Sequence, residues 1–416
     1  MLMDTGDIGF ILMSSALVLL MTPGLAFFYS GMVRRKNALN TLMSCFFICG
    51  LASVLWVILG YSLAFADNGN QFIGDFTKVF FNNVATGEAG AYSATIPDAL
   101  FAAFQMMFAI ITPALIVGSL EGRMKFSAMF VFIALWSILV YYPLAHMEWS
   151  LNGFLGAGTI KSVDFAGGNV VHISSGISAL IACILLGKRK GYGVVTYKPH
   201  NIPYVVLGAA LLWFGWFGFN AGSALGANGL AVHAFMTTNT AAAMAMLSWM
   251  FIEKIIHGKP TTLGAGTGAV VGLVAITPGA GFVPIWAALI IGACVSPICF
   301  FFMTKVKGKF GYDDALDVFG CHGIGGIWGG IATGLFCKNS INSVCTDGLV
   351  YGETSQFISQ LEAIGVTILF AGGMTAIIVS VMKLFGNIRV KAEDEAIGLD
   401  QSEHNESAYP SFSGLD

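Results

Sequence analysis

His172-Ile173-Ser174-Ser175-Gly176-Ile177 and His322-Gly323-Ile324-Gly325-Gly326-Ile327 are two short frames of similar shape, each set inside a long apolar run. An ionisable side chain at membrane depth is costly, so it faces a bundle interior or a pathway rather than lipid. Two such histidines, in matching frames of two chain halves, predict a site at the interface of a repeat. That is where many membrane carriers hold their substrate.

Composition supports the membrane setting. Of 416 residues, 56% are apolar and only 10% charged, and the mean hydropathy is +0.77. A soluble globule carries about 25% charged residues. The 52 glycines and 34 phenylalanines suit helices that pack closely through small residues, with aromatics facing lipid or a lumen. A net charge of −3 without a large basic tract argues against nucleic-acid binding. The first apolar run follows no cationic leader and continues too far for a signal peptide, so it reads as a first span. Cys45, Cys49, Cys183, Cys294, Cys299 and Cys321 lie in apolar segments and read as small core residues. Cys337 and Cys345 flank one loop and could pair as a disulfide if that loop is extracytoplasmic. No CxxC metal or redox pattern occurs, and no cofactor is expected.

A span needs roughly 20 mostly apolar residues. Eleven stretches qualify: 8–33, 40–65, 97–120, 126–145, 165–187, 203–223, 231–256, 263–281, 283–304, 318–337 and 356–386. The fold class expected is therefore an all-α polytopic membrane protein with its termini on opposite sides. Seventeen of the 20 Lys and Arg, from Arg34 to Lys391, fall on one set of connections and ends; Lys78, Lys161 and Lys338 fall on the other. The positive-inside rule then puts the N-terminus outside and the C-terminus in the cytoplasm. Residues 1–386 form the transmembrane domain, and 387–416, where hydropathy gives way to charge, a cytoplasmic tail lying in water. The acidic stretch from Asp67 to Glu88 is external and long enough to fold over a pore mouth; Gly191 to Asn201 is an internal loop.

Four constellations carry possible chemistry. Asp164-Phe165-Ala166-Gly167-Gly168 precedes His172, and Asp164 reads as a helix N-cap that also places negative charge near the outer mouth. Trp213-Phe214-Gly215-Trp216-Phe217-Gly218-Phe219-Asn220-Ala221-Gly222-Ser223 combines glycines for close backbone approach with aromatic faces able to bind a cation; an interfacial aromatic belt is the alternative. Phe104-Gln105-Met106-Met107-Phe108, with Trp149 beyond the fourth span, has no signal in periodicity alone. Asp313-Asp314-Ala315-Leu316-Asp317 sits at the cytoplasmic edge of the tenth span and reads as capping or as neutralising nearby lysines. For the histidines, a satisfied buried imidazole is the plain alternative. A haem or copper site would want further soft or imidazole ligands, and the other five histidines lie at or beyond span ends.

At these residues the chain resembles the ammonium transporter family (Amt/Mep/Rh), in its bacterial and archaeal Amt branch. The resemblance covers nearly the whole sequence. It rests on Pro23-Gly24-Leu25-Ala26-Phe27-Phe28-Tyr29-Ser30-Gly31, on Asp164 to His172, on Gly215 to Ser223, on Asp317-Val318-Phe319-Gly320-Cys321-His322-Gly323, and on a tail with Gly398-Leu399-Asp400, Glu403-His404 and Ala408-Tyr409. It implies an inverted five-plus-five repeat, here about 8–190 and 203–337, with 356–386 as an extra last helix. It also implies a homotrimer with one pore per subunit. Carried over by position, Phe108, Trp149 and Ser223 form an external ammonium site, and Phe108 and Phe219 a stacked gate below it. His172 and His322 are the paired pore imidazoles, Trp216 packs near the lower lumen beside His322, and Asp164 is the structural acid near the mouth. His172 separates the chain from fungal relatives with Glu at that position, and Trp149 from the Rh branch.

The resemblance thus implies an ammonium transporter of the cell membrane, not an enzyme. It recruits NH4+ at the aromatic site and conducts NH3 through a dry pore, with a separate proton relay through the histidines. Its partners would be membrane lipid and a PII-type regulator (GlnK) at the inner loops and tail. The rival readings are an ammonium sensor, a carrier of another small amine, and a membrane enzyme with a histidine-bound metal.

Overall fold

The computed structural model describes residues 3–67 and 69–409. The chain is a bundle of helices with one small two-stranded ribbon. In chain order the helices are α1 (Thr5–Met32), α2 (Arg35–Phe65), α3 (Asp98–Leu120), α4 (Phe126–Trp149), α5 (Gly168–Leu186), α6 (Ile202–Gly222), α7 (Gly229–His257), α8 (Thr262–Ile276), α9 (Ile285–Phe310), α10 (residues 319–336) and α11 (Ser355–Phe385). Two short helices follow in the tail, α12 (Ala392–Ile397) and α13 (Leu399–His404). Among the described residues, nine of these helices are long and apolar enough to cross a membrane. The other two stretches, α8 and α10, fall where the sequence predicts spans at 263–281 and 318–337.

Helix–helix contact relies on small residues, because lipid gives apolar side chains no reason to prefer one another. The glycines of the aromatic run face α1. A Cβ on Gly215 would stand 2.7 Å from the Leu17 carbonyl oxygen, and one on Gly218 2.8 Å from the Ser14 carbonyl oxygen. The run therefore divides by face. Its glycines meet α1, Trp216 and Phe219 point inward at 2% and 1% exposure, and Phe214 points out at 56%.

A second close crossing joins α5 to α10. A Cβ on Gly176 would lie 2.1 Å from the Gly323 nitrogen and 2.9 Å from the His322 carbonyl carbon; one on Gly326 would lie 3.1 Å from the His172 Cβ. In each frame the glycine four residues after the histidine abuts the histidine of the other frame. Both histidines also sit in π-helical turns, Gly168–Ile173 and Phe319–Ile324. Such turns commonly mark functional positions.

The two ends of the bundle differ. At one end Asp313 lies between Arg189, whose Nη2 is 2.6 Å away, and the buried Arg123. Burial would raise the Asp313 carboxyl, but these guanidinium groups hold it below the usual range. Asp317 pairs with Lys307 at 2.7 Å, and Asp314 accepts the Phe319 N–H at 2.8 Å. The acidic cluster thus both caps α10 and neutralises cations. The tail returns to this same end instead of extending into water. Asp400 accepts the Asn40 N–H at 2.8 Å, Leu399 N–H donates to Asn37 at 3.0 Å, and Glu403 accepts the Phe126 N–H at 2.8 Å. Residues 410–416 of the expected tail lie outside the described residues.

At the opposite end, β1 (Ala89–Gly90) and β2 (Ser93–Pro97) form an antiparallel ribbon. The preceding acidic loop is tied down by Lys78 to Asp98 at 2.7 Å. Tyr92, at the ribbon's turn, stacks flat on Phe101 of α3 with ring centroids 4.7 Å apart.

The α5–α10 crossing has no room for a methyl group, and overpacking a tight contact costs about 1–3 kcal/mol. Gly176→Ala is therefore expected to lower the thermal midpoint of the detergent-solubilised protein. Gly365→Ala on α11, which would meet nothing within 4 Å, is the matched control and should leave the midpoint in place. Equal midpoints for the two variants would contradict the crossing.

Candidate functional site

The aromatic and histidine positions from α3, α4, α5, α6 and α10 follow one another through the bundle. At the end bearing the ribbon is a cavity of 230 Å³ lined by Tyr92, Phe104, Gln105, Phe108, Trp149 and Ser223, among others. Trp149 stands edge-on to Phe108 with centroids 5.9 Å apart, and its indole N–H donates to the Asp164 carbonyl at 3.0 Å. That bond fixes a ring which a lipid-facing belt residue would leave free. Ser223 donates its hydroxyl to the Phe219 carbonyl at 2.9 Å. Its proton is thereby used up, and its oxygen remains an acceptor.

Beneath the cavity Phe108 and Phe219 meet with centroids 4.4 Å apart, each 1% exposed. His172 follows, stacked on Phe219 at 6.1 Å and on Trp216 at 5.4 Å. Its Nδ1 lies 3.3 Å from the Nδ1 of His322, and its Nε2 is buried without a partner. His322 in turn lines a second cavity, of 290 Å³, with Tyr29, Glu253, His257 and Asp317. Trp216, expected beside His322, rests on His172 instead, its indole N–H held by the Thr277 hydroxyl at 2.8 Å.

The Nδ1···Nδ1 contact constrains the chemistry. A neutral imidazole carries one N–H, so one ring donates and the other accepts. The donor ring must then have a bare Nε2 and the acceptor ring an Nε2–H. The pair is polar end to end, and moving a proton across it reverses that polarity.

Asp164 is a cap of unusual completeness. Its two carboxylate oxygens accept the N–H groups of Gly167 at 2.7 Å, Gly168 at 2.6 Å, Asn169 at 2.7 Å and Val170 at 3.4 Å. These are the four donors that a helix start leaves open. Burial raises the Asp164 carboxyl, and the same backbone bonds pull it down. The cap thus fixes the start of the turn carrying His172, while its backbone carbonyl fixes Trp149.

Two further residues enter the site that the sequence reading did not single out. Gln105 lines the ribbon-end cavity with an Oε1 that is buried and unpartnered. The available signal was a lone amide between two phenylalanines of an apolar span. Glu148 is buried behind Trp149, accepting from Ser162 and Asn169 at 3.1 Å each. A carboxylate one residue before a span-end tryptophan was its only mark. Among the described residues no group of three or more His, Cys, Asp or Glu side chains could hold a metal ion.

Comparison with known proteins identifies the family of the chain. The Ammonium Transporter Family pattern matches residues 9–409. An ammonium transporter of Bacillus subtilis is 50% identical over 407 residues, covering 98% of this chain and 99% of its own. Among solved structures, Saccharomyces cerevisiae Mep2 superposes with a TM-score of 0.87 at 38% identity, over 94% of this chain and 88% of that one. A protein described as a sensor Amt protein gives the same TM-score at 25% identity, over 96% of this chain and 98% of that one. With one family pattern running almost end to end and a half-identical relative of matching length, the chain belongs to the ammonium transporter family, whose members are membrane transporters and not enzymes.

Proposed function

We propose that this chain recruits NH4+ in the outer cavity, separates it from a proton at the Phe108–Phe219 gate, and passes NH3 along the histidine pair to the inner cavity. The observation that carries this reading is the unbroken order of cavity, aromatic gate, unpartnered His172 Nε2, paired Nδ1 atoms and second cavity.

A bare cation in a dry channel costs many kcal/mol. The outer cavity offsets part of that cost with the faces of Trp149 and Phe108, worth roughly 0.5–2 kcal/mol, and with the acceptor oxygens of Ser223 and Gln105. The Asp164 carboxylate adds negative charge close by. Potassium, of similar size, is attracted by the same groups, so the mouth does not select. Selection follows below the gate, where NH4+ can leave its proton behind and continue as a neutral molecule. Potassium has no such exit.

The proton has a route of its own. When His172 donates through Nδ1, its bare Nε2 accepts a proton from the cavity side. Its Nδ1–H then passes to His322 Nδ1, and His322 releases its Nε2–H towards the inner cavity. One proton enters, one leaves, and both rings end neutral with their tautomers exchanged. Net transport of one positive charge per nitrogen follows.

The same reading makes all eleven helical stretches spans, with the N-terminus outside and the tail cytoplasmic. Two observations support the inverted repeat. Helix α1 packs most extensively on α6, and α5 crosses α10 at matching glycines; each pair is five helices apart. The proposal extends to a homotrimer in the lipid of the cell membrane, and to a PII-type regulator (GlnK) at the cytoplasmic face. There the docked tail offers an ordered surface around Leu399, Asp400 and Glu403.

The test is an ammonium concentration jump on proteoliposomes held on a capacitive electrode, with potassium as control. Ammonium is expected to give a transient current and potassium none. No ammonium current, with ammonium binding intact, would favour the sensing alternative. In the same assay Trp149→Leu should raise half-saturating ammonium roughly 2- to 30-fold, the range that loss of a cation–π contact spans, with the potassium response still absent. An unchanged half-saturation would remove Trp149 from the ammonium site.

A further inference from the structure

The loop after α10 closes tightly on itself. The Cys337 carbonyl accepts the Gly348 N–H at 2.8 Å, so residues 346–348 run beside Cys337. The Cys337 thiol donates to the Thr346 carbonyl at 3.3 Å, and the Asn339 side chain donates to the Cys345 carbonyl at 2.7 Å. Cys345 is thereby folded back onto Cys337. Both are buried, at 0% and 1% exposure, in one small apolar cluster with Val163 and Phe282, against which Phe165 packs.

The cluster lies at the outer mouth. Val163 and Phe165 flank Asp164, the cap of α5, and Phe165 lines the outer cavity. The Val163 N–H and carbonyl are both held by the Gln360 side chain, at 2.7 and 2.9 Å. A link within the cysteine loop would stiffen the wall behind that segment. None of the other six cysteines shares this apolar cluster.

We infer that Cys337 and Cys345 are a disulfide-forming pair that clamps the outer rim of the transport path. Both cysteines lie in one small buried cluster on a loop already closed by backbone bonds, so bridging needs little movement of the chain. The reaction removes one proton and one electron from each thiol and forms one S–S bond. A small disulfide in the external medium accepts both electrons and both protons, and its own S–S bond breaks to give two thiols. The inference rests on the proposed orientation, since a persistent bridge requires the oxidising side.

Two measurements on the full-length protein, isolated from cells without reductant, test it. In the first, the protein is denatured, alkylated and cleaved after Lys338, which lies between the two cysteines. Six of the eight cysteines are expected to take up the reagent, and the peptides on either side of the cut are expected to stay joined until reduction. Alkylation of all eight, with the two peptides separate, overturns the inference. The second labels Val350→Cys, at an exposed position of the same loop, with a membrane-impermeant maleimide in intact cells. Labelling is expected; labelling only after permeabilisation refutes the orientation, whatever the first measurement gives. A missing bridge with external labelling refutes the disulfide alone and leaves the transport reading standing.

Discussion

Two imidazoles whose Nδ1 atoms meet at 3.3 Å inside the bundle are the constraint around which it is organised. A single buried histidine would leave its polar nitrogens unmatched or need a backbone partner. Paired at 3.3 Å, each ring satisfies one nitrogen of the other, and the second nitrogen of His172 stays buried without a partner. The contact tolerates little displacement, because a hydrogen bond weakens steeply with distance and angle. Its geometry is set by the α5–α10 crossing, where Gly176 and Gly323 let two backbones nearly touch. The glycines are therefore as much a part of the site as the rings.

Upstream, one residue fixes two of the site's components. Asp164 closes the four open N–H groups at the start of α5 and, through its carbonyl, holds the Trp149 indole. The helix that places His172 and the indole ring of Trp149 thus share an anchor. Its negative charge is spent largely on backbone donors, so the cap role dominates, and the field at the mouth is what remains. The same economy governs the other end, where Asp313, Asp314 and Asp317 each serve a cation or a helix start.

Much of this was legible in the sequence. Among the described residues, nine of the eleven apolar stretches coincide with helices long and apolar enough to cross a membrane, because hydropathy and length govern such segments. The histidine frames predict their own meeting, since two costly groups in matching positions have few other places to go. Phe108 and Trp149 were not legible from periodicity, because aromatic side chains are frequent both in spans and at span ends; resemblance alone pointed to them. Gln105 and Glu148 escaped notice for a different reason. Their significance lies in which cavity wall or neighbour they meet, and that is tertiary information. Trp216 shows the limit of carrying roles over by position: the ring was expected beside His322 but stacks on His172. The tail's charge suggested a solvated segment, whereas its carboxylates find backbone N–H partners on α2 and α4.

The central proposal is that the histidine pair takes up and relays the proton that NH4+ gives up at the gate. The most direct measurement compares ammonium and potassium currents of His172→Ala/His322→Ala with those of the unaltered protein in the same proteoliposomes. The account predicts that the double variant either loses the ammonium current or gains a potassium current beside it. An undiminished ammonium current, with potassium still excluded, would contradict it.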